Sequence, residues 1–278
     1  MTDWNERAAR ALERVRAERV LVHSITNYVV MNSTANTLLA IGAAPVMAHA
    51  LDEVEDMVGL ARAVVLNIGT LEPSWVTAMR LAGRAANRRG IPVVLDPVGS
   101  GATPYRTATA SALARELHLA VIRGNASEVL SLTSAEVATR GVDAAHDVED
   151  AARVAAGLAE ELDTTLAVTG RVDLVTDGAT TLRVEGGHPL VTRVTGTGCA
   201  ATVLVAAFAA VESEPVAAAA GALASFKLAA ETAADLCRGR SGGTEAGPGS
   251  FQVALYDALA SLEPEALRAA GKIQEVGR

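Results

Sequence analysis

Short apolar runs alternate with longer stretches of helical periodicity along most of the chain. Five runs are mostly apolar and too short for helices, which is typical of parallel strands buried on both faces. They lie at residues 19–22, 63–68, 91–95, 119–122 and 165–168. The repeated strand–helix order predicts an α/β fold in which a mostly parallel central sheet lies between two layers of helices.

The pattern changes after the last of these runs. An Asp-Gly pair separates the short segments 173–176 and 179–184, which predicts a β-hairpin at the edge of the sheet. Two Ala-rich helices are predicted over residues 198–210 and 215–236. The Gly-rich, polar segment 238–248 is predicted to be a surface loop.

Length and composition are those of one α/β domain. The 278 residues are 50% hydrophobic, and a single domain of this size can bury a large core. We therefore expect residues 1–278 to form one domain without a separate lid. Its first ~18 residues are predicted to be helical and its last ~15 to be loosely packed.

Charge and the two cysteines narrow the class of protein. The formal net charge of −8 argues against nucleic-acid binding, since binding to a phosphate backbone requires clustered Lys and Arg. The N-terminal segment lacks the apolar core of a signal peptide, and no apolar run has the length of a membrane span. Cys199 and Cys237 form no paired motif, which suits a reducing compartment. We expect a cytoplasmic protein without membrane contact.

Polar residues follow four of the predicted strands. They are Asn27 and the segments 67–70, 96–101 and 123–128. In an open α/β sheet, ligands bind outside the carboxyl ends of the strands. These polar residues are therefore predicted to border one crevice.

Two carboxylates in this set, Asp96 and Glu128, are candidate ligands of Mg²⁺, which takes one or two carboxylates together with waters and phosphate oxygens. Arg123 beside them suits bidentate contact with phosphate. Structural roles are the alternative: Asp96 as the cap of the turn at Pro97, Glu128 as a first-turn helix acid, and Arg123 as an ion-pair partner.

The segment Thr195-Gly196-Thr197-Gly198-Cys199 carries the strongest local signal. Its glycines allow a ligand to approach the backbone closely, and the apolar run that follows predicts a helix whose first N–H groups form an anion site. Cys199 lies at that helix start, where the positive end of the dipole favours a thiolate. The alternative is a tight turn beside an inert buried cysteine.

Other nucleotide-binding motifs fit less well. A P-loop needs Gly-Lys-Ser/Thr, and the only lysines are Lys227 and Lys272. Residues 196–201 match the loose dinucleotide pattern GxGxxA, but they follow a hairpin rather than an initial strand. Hydride transfer is therefore a weak competitor of phosphoryl transfer.

Six segments together resemble the hydroxyethylthiazole kinase family of the ribokinase-like superfamily. They are VHSITN (22–27), ANTLLAIGAAPVM (35–47), LNIGTL (66–71), VLDPVG (94–99), IRGNASE (122–128) and HPLVTRVTGTGC (188–199). The resemblance implies a ribokinase-like three-layer α/β/α fold and a homotrimer with sites at subunit boundaries. Segments 133–140 and 238–246 fit the family pattern less well.

The resemblance also implies a reaction, the ATP-dependent phosphorylation of the hydroxyl of 4-methyl-5-(2-hydroxyethyl)thiazole in thiamine biosynthesis or salvage. It assigns residues to the thiazole (Met47, Gly196, Asn27), to ATP (Arg123, Thr169) and to Mg²⁺ (Asp96, Glu128). Gly196, Thr197 and Gly198 would supply backbone N–H groups to the migrating phosphoryl group. Cys199 would accept or steer the substrate hydroxyl proton, at a position where many ribokinase-like enzymes carry aspartate.

Two alternatives stay open at this point. One is a ribokinase-like kinase that acts on another heteroaromatic alcohol, such as a hydroxymethylpyrimidine. The other belongs to a different class, either a nucleotide sensor without catalysis or a dinucleotide-dependent oxidoreductase.

Overall fold

A computed structural model describes residues 3–133, 148–240 and 247–276. Within these ranges, one sheet is built from the strands β1 (Leu21–Ile25), β2 (Ala44–Val46), β3 (Ala63–Asn67), β4 (Val93–Asp96), β5 (Val121–Asn125), β6 (Thr165–Thr169), β7 (Asp173–Thr176), β8 (Thr181–Val184) and β9 (Ile273–Glu275). The helices are α1 (Trp4–Glu18), α2 (Met31–Ile41), α3 (Val54–Leu60), α4 (Pro73–Arg88), α5 (Pro104–Glu116), α6 (Ala126–Leu130), α7 (Val148–Leu162), α8 (Thr197–Ala209), α9 (Pro215–Arg240), α10 (Pro248–Ala260) and α11 (Pro264–Ala270). A 3₁₀ helix, Pro189–Arg193, precedes α8.

The strand order in the sheet is β2-β1-β3-β4-β5-β6-β7-β8-β9. Strands β1 to β6 pair in parallel, and β7, β8 and β9 pair antiparallel. The α/β fold with a mostly parallel sheet and a late hairpin is therefore confirmed. The hairpin β7–β8 is not the edge, however, because β9 pairs with the outer side of β8.

The C-terminal segment differs from the sequence expectation of loose packing. Residues 264–270 form α11, which packs on α1, and residues 273–275 complete the sheet as β9. Side chains that anchor this segment are buried, such as Leu267 and Ile273. The sequence signal was weak because β9 has three residues and only one of them is apolar enough to mark a core position.

Two further loop predictions lie partly outside the described residues. Residues 238–240, predicted as loop, extend α9 by one turn, and Pro248 already begins α10. Residues 241–246 and 134–140 lie outside the described part of the chain.

Several strands extend further toward their carboxyl ends than the apolar runs suggested. In the β3–β4 ladder Asn67 pairs with Asp96, and in the β5–β6 ladder Asn125 pairs with Thr169. The backbone ladder continues after the apolar residues stop, because main-chain pairing does not depend on side-chain polarity. The polar residues at these strand ends are thus held by the sheet itself.

Alternate residues of the buried strands supply two separate cores. Val65 and Val94 face the layer of α1, α2, α8, α9 and α10, while Val64 and Leu66 face the layer of α3, α4, α5 and α7. Helix α8 is buried on every side, from Cys199 to Phe208, because the sheet covers one face and α2 and α9 cover the others. Its start is therefore fixed rigidly against the sheet. None of the helices in the described ranges is long and apolar enough to cross a bilayer.

Candidate active site

The candidate site lies at the carboxyl edge of the parallel strands, where α8 begins. This edge carries polar or polarizable side chains at or just after six neighbouring strands. In the sheet order β2, β1, β3, β4, β5 and β6 they are Met47, Asn27, Asn67, Asp96, Arg123 and Thr169.

Asn67 is the centre of a buried polar network. Its Nδ2 donates to Asp96 Oδ2 at 2.7 Å and to Cys199 Sγ at 3.1 Å. Its Oδ1 accepts from Asn27 Nδ2 at 2.8 Å and from the Gly69 N–H at 3.0 Å. Every donor and acceptor position of this amide is used, so its orientation is fixed.

Asp96 is fully buried and only half satisfied. Its Oδ2 accepts from Asn67 and, at 2.9 Å, from Thr202 Oγ1, while its Oδ1 has no hydrogen-bond partner among the described residues. Burial raises the pKa of Asp96, and the charge of Arg123 partly opposes this effect. A buried carboxylate oxygen without a donor is costly unless a cation neutralises it, so Oδ1 fits the first protein ligand of a magnesium ion.

Glu128 has a structural role in addition to any role toward a metal. Its Oε2 accepts from the Asn125 N–H at 2.9 Å, which with the Asn125 side chain completes a capping box at the start of α6. Its Oε1 accepts from the Gly99 N–H at 2.8 Å and thereby ties the loop after β4 to α6. The described residues contain no cluster of three His, Cys, Asp or Glu side chains able to hold a metal. The two carboxylates Asp96 and Glu128 suit an ion that takes its remaining ligands from water and phosphate oxygens.

Cys199 is a buried thiol whose ionisation the structure opposes. Burial and, next, the charge of Asp96 raise the pKa of Cys199 to about 12, although the Asn67 hydrogen bond and Arg123 act in the opposite sense. This environment opposes the thiolate that the dipole at the helix start would favour. Desolvation and a neighbouring carboxylate outweigh the partial charge of a helix end.

The turn before α8 requires glycine at position 196, whereas a side chain at position 198 would displace the end of the Arg123 side chain. Gly196 has φ +82°, and a Cβ there would lie 2.7 Å from Val30 Cγ1. A Cβ on Gly198 would lie 2.7 Å from Arg123 Nη1. The first bond of α8 runs from the Ala200 N–H to the Gly196 carbonyl, so the N–H groups of residues 197–199 have no acceptor within the helix. These are the N–H groups from which an anion site was expected, and the Thr197 hydroxyl holds the turn by donating to Val191 O at 2.8 Å.

A cavity of about 530 Å³ opens beside this turn, on the β6–β8 side. Arg123 and Thr169 lie in its wall, with Arg123 Nη2 donating to Thr169 Oγ1 at 2.6 Å. The buried Nε of Arg123 has no partner among the described residues, which leaves it free for an anion. Leu223 and Phe226 of α9 form an apolar wall. The volume and the division into polar and apolar walls suit a nucleotide.

The three residues assigned to the thiazole follow three different elements. Gly196 is in the turn before α8, and Asn27 is turned inward, where its side chain bonds Asn67 and the Val29 N–H. Met47 is half-buried after the edge strand β2, about 19 Å from β5 at four strand spacings of about 4.8 Å. Met47 and Asn27 thus lie toward the β2 end of the crevice, and the cavity lies at the β6 end.

Sequence reasoning did not single out several residues of this edge. Thr202 completes the carboxylate network with Asn67, which was expected at the crevice but without a role, and Lys227 and Asp173 form a buried pair in the cavity wall. Thr202 was detectable as the one hydroxyl in an otherwise apolar run, one turn after Gly198. Lys227 was detectable as a lysine within an Ala-rich helix.

The sequence is similar to one known protein family over most of its length. The profile of the hydroxyethylthiazole kinase family matches residues 12–265. The chain is 53% identical over 275 residues to a hydroxyethylthiazole kinase of Desulfotalea psychrophila, covering 99% of this chain and 98% of that protein.

Solved structures extend the comparison to the fold. A hydroxyethylthiazole kinase from Pyrococcus horikoshii superposes with a TM-score of 0.87 at 45% identity, covering 97% of this chain and 99% of that one. A ribokinase-like superfamily protein from Enterococcus faecalis, at 15% identity and a TM-score of 0.57, covers 92% of this chain and 81% of its own and shares the fold alone. Because both sequence and fold agree over nearly the full length, the chain belongs to the hydroxyethylthiazole kinase family.

Proposed function

We propose that the protein transfers the γ-phosphoryl group of ATP to the hydroxyl of 4-methyl-5-(2-hydroxyethyl)thiazole, in thiamine biosynthesis or salvage. The observation that carries this proposal is the position of the α8 N-terminus. Its free N–H groups lie between a cavity of about 530 Å³ with an unpaired arginine nitrogen and a buried network that ends in an unpaired carboxylate oxygen.

Nucleotide binding is assigned to the cavity side. Arg123 and Thr169 would contact the phosphates, and the backbone N–H groups of Thr197 and Gly198 would stabilise the oxygens of the migrating phosphoryl group. Catalysis of phosphoryl transfer depends mainly on positioning and on neutralising charge. A preformed nest of N–H groups supplies both without reorganisation.

Magnesium is assigned to Asp96, with Glu128 as a more distant carboxylate. The unpaired Oδ1 of Asp96 is the atom that fits the ion, and Asn67 and Thr202 hold the carboxylate in place through Oδ2. A bound Mg²⁺ would neutralise charge on the phosphate oxygens. Glu128, whose oxygens already accept from backbone N–H groups, would act through water.

The acceptor alcohol is assigned to the other side of the α8 start. Cys199 would steer the substrate hydroxyl as a neutral thiol, because a loose transition state needs a positioned nucleophile more than an ionised one. Met47, Asn27 and Gly196 would border the thiazole. Support for a ring-binding region comes from Trp75, on which the rings of Tyr28 and His49 pack. Their ring centroids lie 4.8 Å and 4.4 Å from the Trp75 ring centroid.

We also propose a homotrimer whose subunits complete each acceptor site. Met47 follows an edge strand, and the neighbouring side chains of Tyr28 and Val29 are 60% and 67% exposed. Such an apolar edge is typical of a subunit interface. Both cysteines are buried thiols that form no disulfide in the described part of the chain, which supports a reducing, cytoplasmic setting.

A coupled assay of ADP release tests the proposal. With Mg-ATP, we expect ADP only when the thiazole alcohol is added. Preference for a hydroxymethylpyrimidine would select the other heteroaromatic kinase, and nucleotide binding without turnover on either alcohol would contradict kinase activity.

A further inference from the structure

Lys227 is a buried cation that the proposed reaction does not use. It lies on α9 with only 6% of its surface exposed and lines the cavity assigned to ATP. Lys272 is the only other lysine of the chain. A charged side chain buried to this extent requires hydrogen-bond or ion-pair partners. The groups that Lys227 contacts therefore indicate its role.

The ammonium group of Lys227 joins two loops. Its Nζ lies 3.2 Å from Arg171 O in the turn after β6 and 3.2 Å from Gly186 O in the loop after β8. The Gly170 carbonyl lies at 3.5 Å. Because β7 runs antiparallel to β6, the turn after β6 and the loop after β8 emerge at the same edge of the sheet and form neighbouring walls of the cavity.

Asp173 completes the environment of this cation. Its Oδ1 lies 3.3 Å from Lys227 Nζ and also accepts from the Gly170 N–H at 2.9 Å. An ammonium group has three donors, and here four protein oxygens lie within reach of them. Lys227 therefore has no donor left for a phosphate group, in contrast to Arg123 with its unpaired Nε.

We infer that Lys227 is a positioning residue for the nucleotide, which holds the turn after β6 and the loop after β8 at the separation that ATP requires. The assignment of the ligand rests on the proposed function. Loss of the ammonium group releases two backbone segments in the cavity wall, so ATP binding weakens while the acceptor site, on the far side of α8, keeps its affinity.

Two substitutions test this role in the full-length protein. Lys227→Met keeps most of the length of the side chain, up to the Cε position, without its charge, and Lys227→Ala leaves space. We expect both to raise the KM for ATP about tenfold, on the scale of hydrogen bonds to a charged group, with an unchanged KM for the thiazole. Arg7→Met is the matched control, because it removes a half-buried cation from Glu212 and Glu214 far from the cavity.

Chemical rescue distinguishes positioning from simple stabilisation of the fold. Ethylammonium chloride should lower the KM for ATP of Lys227→Ala, whereas tetramethylammonium chloride at equal concentration should not, since it carries the charge without an N–H donor. Lys227→Met should not respond, because its side chain fills the space. An unchanged KM for ATP, or equal increases in both KM values, would overturn the inference.

Two further measurements keep the test decisive. If the Lys227 variants do not fold, Asp173→Asn probes the same contact and should raise the KM for ATP about threefold, since it keeps an oxygen for the Gly170 N–H. Calorimetric binding of Mg-ADP separates this inference from the proposed function: weaker ADP binding by the variants supports it even if the wild type does not phosphorylate the thiazole. Equal binding of ADP by wild type and variants would contradict it.

Discussion

The two sides of the α8 N-terminus are built differently. On the β1–β4 side, Asn27, Asn67, Asp96 and Thr202 are almost completely buried and bond one another directly. On the β6–β8 side, an open cavity of about 530 Å³ is walled by loops that a single lysine holds together. One side is a preassembled network and the other is a space for a ligand.

The difference suggests a division of labour. A network whose members are fixed by the sheet ladder can hold a carboxylate and a thiol in place before any substrate arrives, which is the requirement for electrostatic catalysis. Loops that line a cavity contribute affinity and can adjust to a ligand. Changes in the network should therefore alter turnover, and changes in the cavity should alter the KM for ATP.

Asp96→Asn should show the largest effect. We expect kcat to fall by about 10³-fold or more, because the unpaired carboxylate oxygen is the best candidate to hold Mg²⁺ and such charge stabilisation is worth several kcal/mol.

Burial raises the pKa of Asp96, so the ionised group destabilises the fold at pH values above the pKa that it has in the unfolded chain. The Asp96→Asn variant, with its neutral amide, should therefore have a Tm at neutral pH equal to or higher than that of the wild type, as measured by calorimetry. A lower Tm together with lost activity would mean that Asp96 mainly supports the fold.

Cys199→Ala should show the next largest effect. We expect kcat to fall about 10²-fold, the scale of misplacing a reacting group by about 1 Å, with an unchanged KM for ATP. Because the pKa of Cys199 is raised to about 12, the thiol stays protonated at neutral pH.

The pH dependence of the wild type checks that state of the thiol. Between about pH 7 and pH 9, kcat should show no rise attributable to Cys199, whereas a thiolate base with an ordinary pKa of about 8.5 would give one. Alkylation by iodoacetamide should be slow over the same range, with Cys199→Ala as the control for reaction at Cys237. Rapid alkylation that disappears in this variant would show that the thiolate forms in the free protein.

The contrast between the two sides also explains what the sequence could and could not predict. The parallel strands, the hairpin and the helix after Gly198 follow from periodicity and turn chemistry, which are local. The polar strand ends indicated a crevice, but pairing of Asn67 with Asp96 depends on strand order, which is not local. The raised pKa of Cys199 could not be predicted, because burial and a carboxylate 103 positions away in sequence cause it. Short β9 was missed for lack of a periodic signal.

Arg123→Met tests the cavity side. We expect the KM for ATP to rise about 10- to 100-fold, corresponding to about 1.5–3 kcal/mol for hydrogen bonds to a charged group, while kcat changes less. Arg123→Lys should not restore the affinity, because an ammonium group cannot reproduce the fork that contacts Thr169 and an anion together. Arg80→Met, which removes a surface ion pair with Glu116, is the matched control and should leave both constants unchanged. A fall in kcat at constant KM would place Arg123 with the network instead.

Thr202→Val should have the smallest effect and gives the sharpest test of the boundary between the two sides. The substitution keeps the shape but removes the hydroxyl that donates to Asp96 Oδ2 at 2.9 Å, leaving Asn67 as the remaining donor. The loss of one such bond is worth about 1 kcal/mol, so we expect kcat to fall about fivefold and the KM for ATP to stay constant. Thr77→Val is the control, since that hydroxyl bonds only a carbonyl of its own surface helix. Thr202 lies one turn below Gly198 on α8, so a rise in the KM for ATP would show that the helix couples the network to the cavity, and the division of labour would fail.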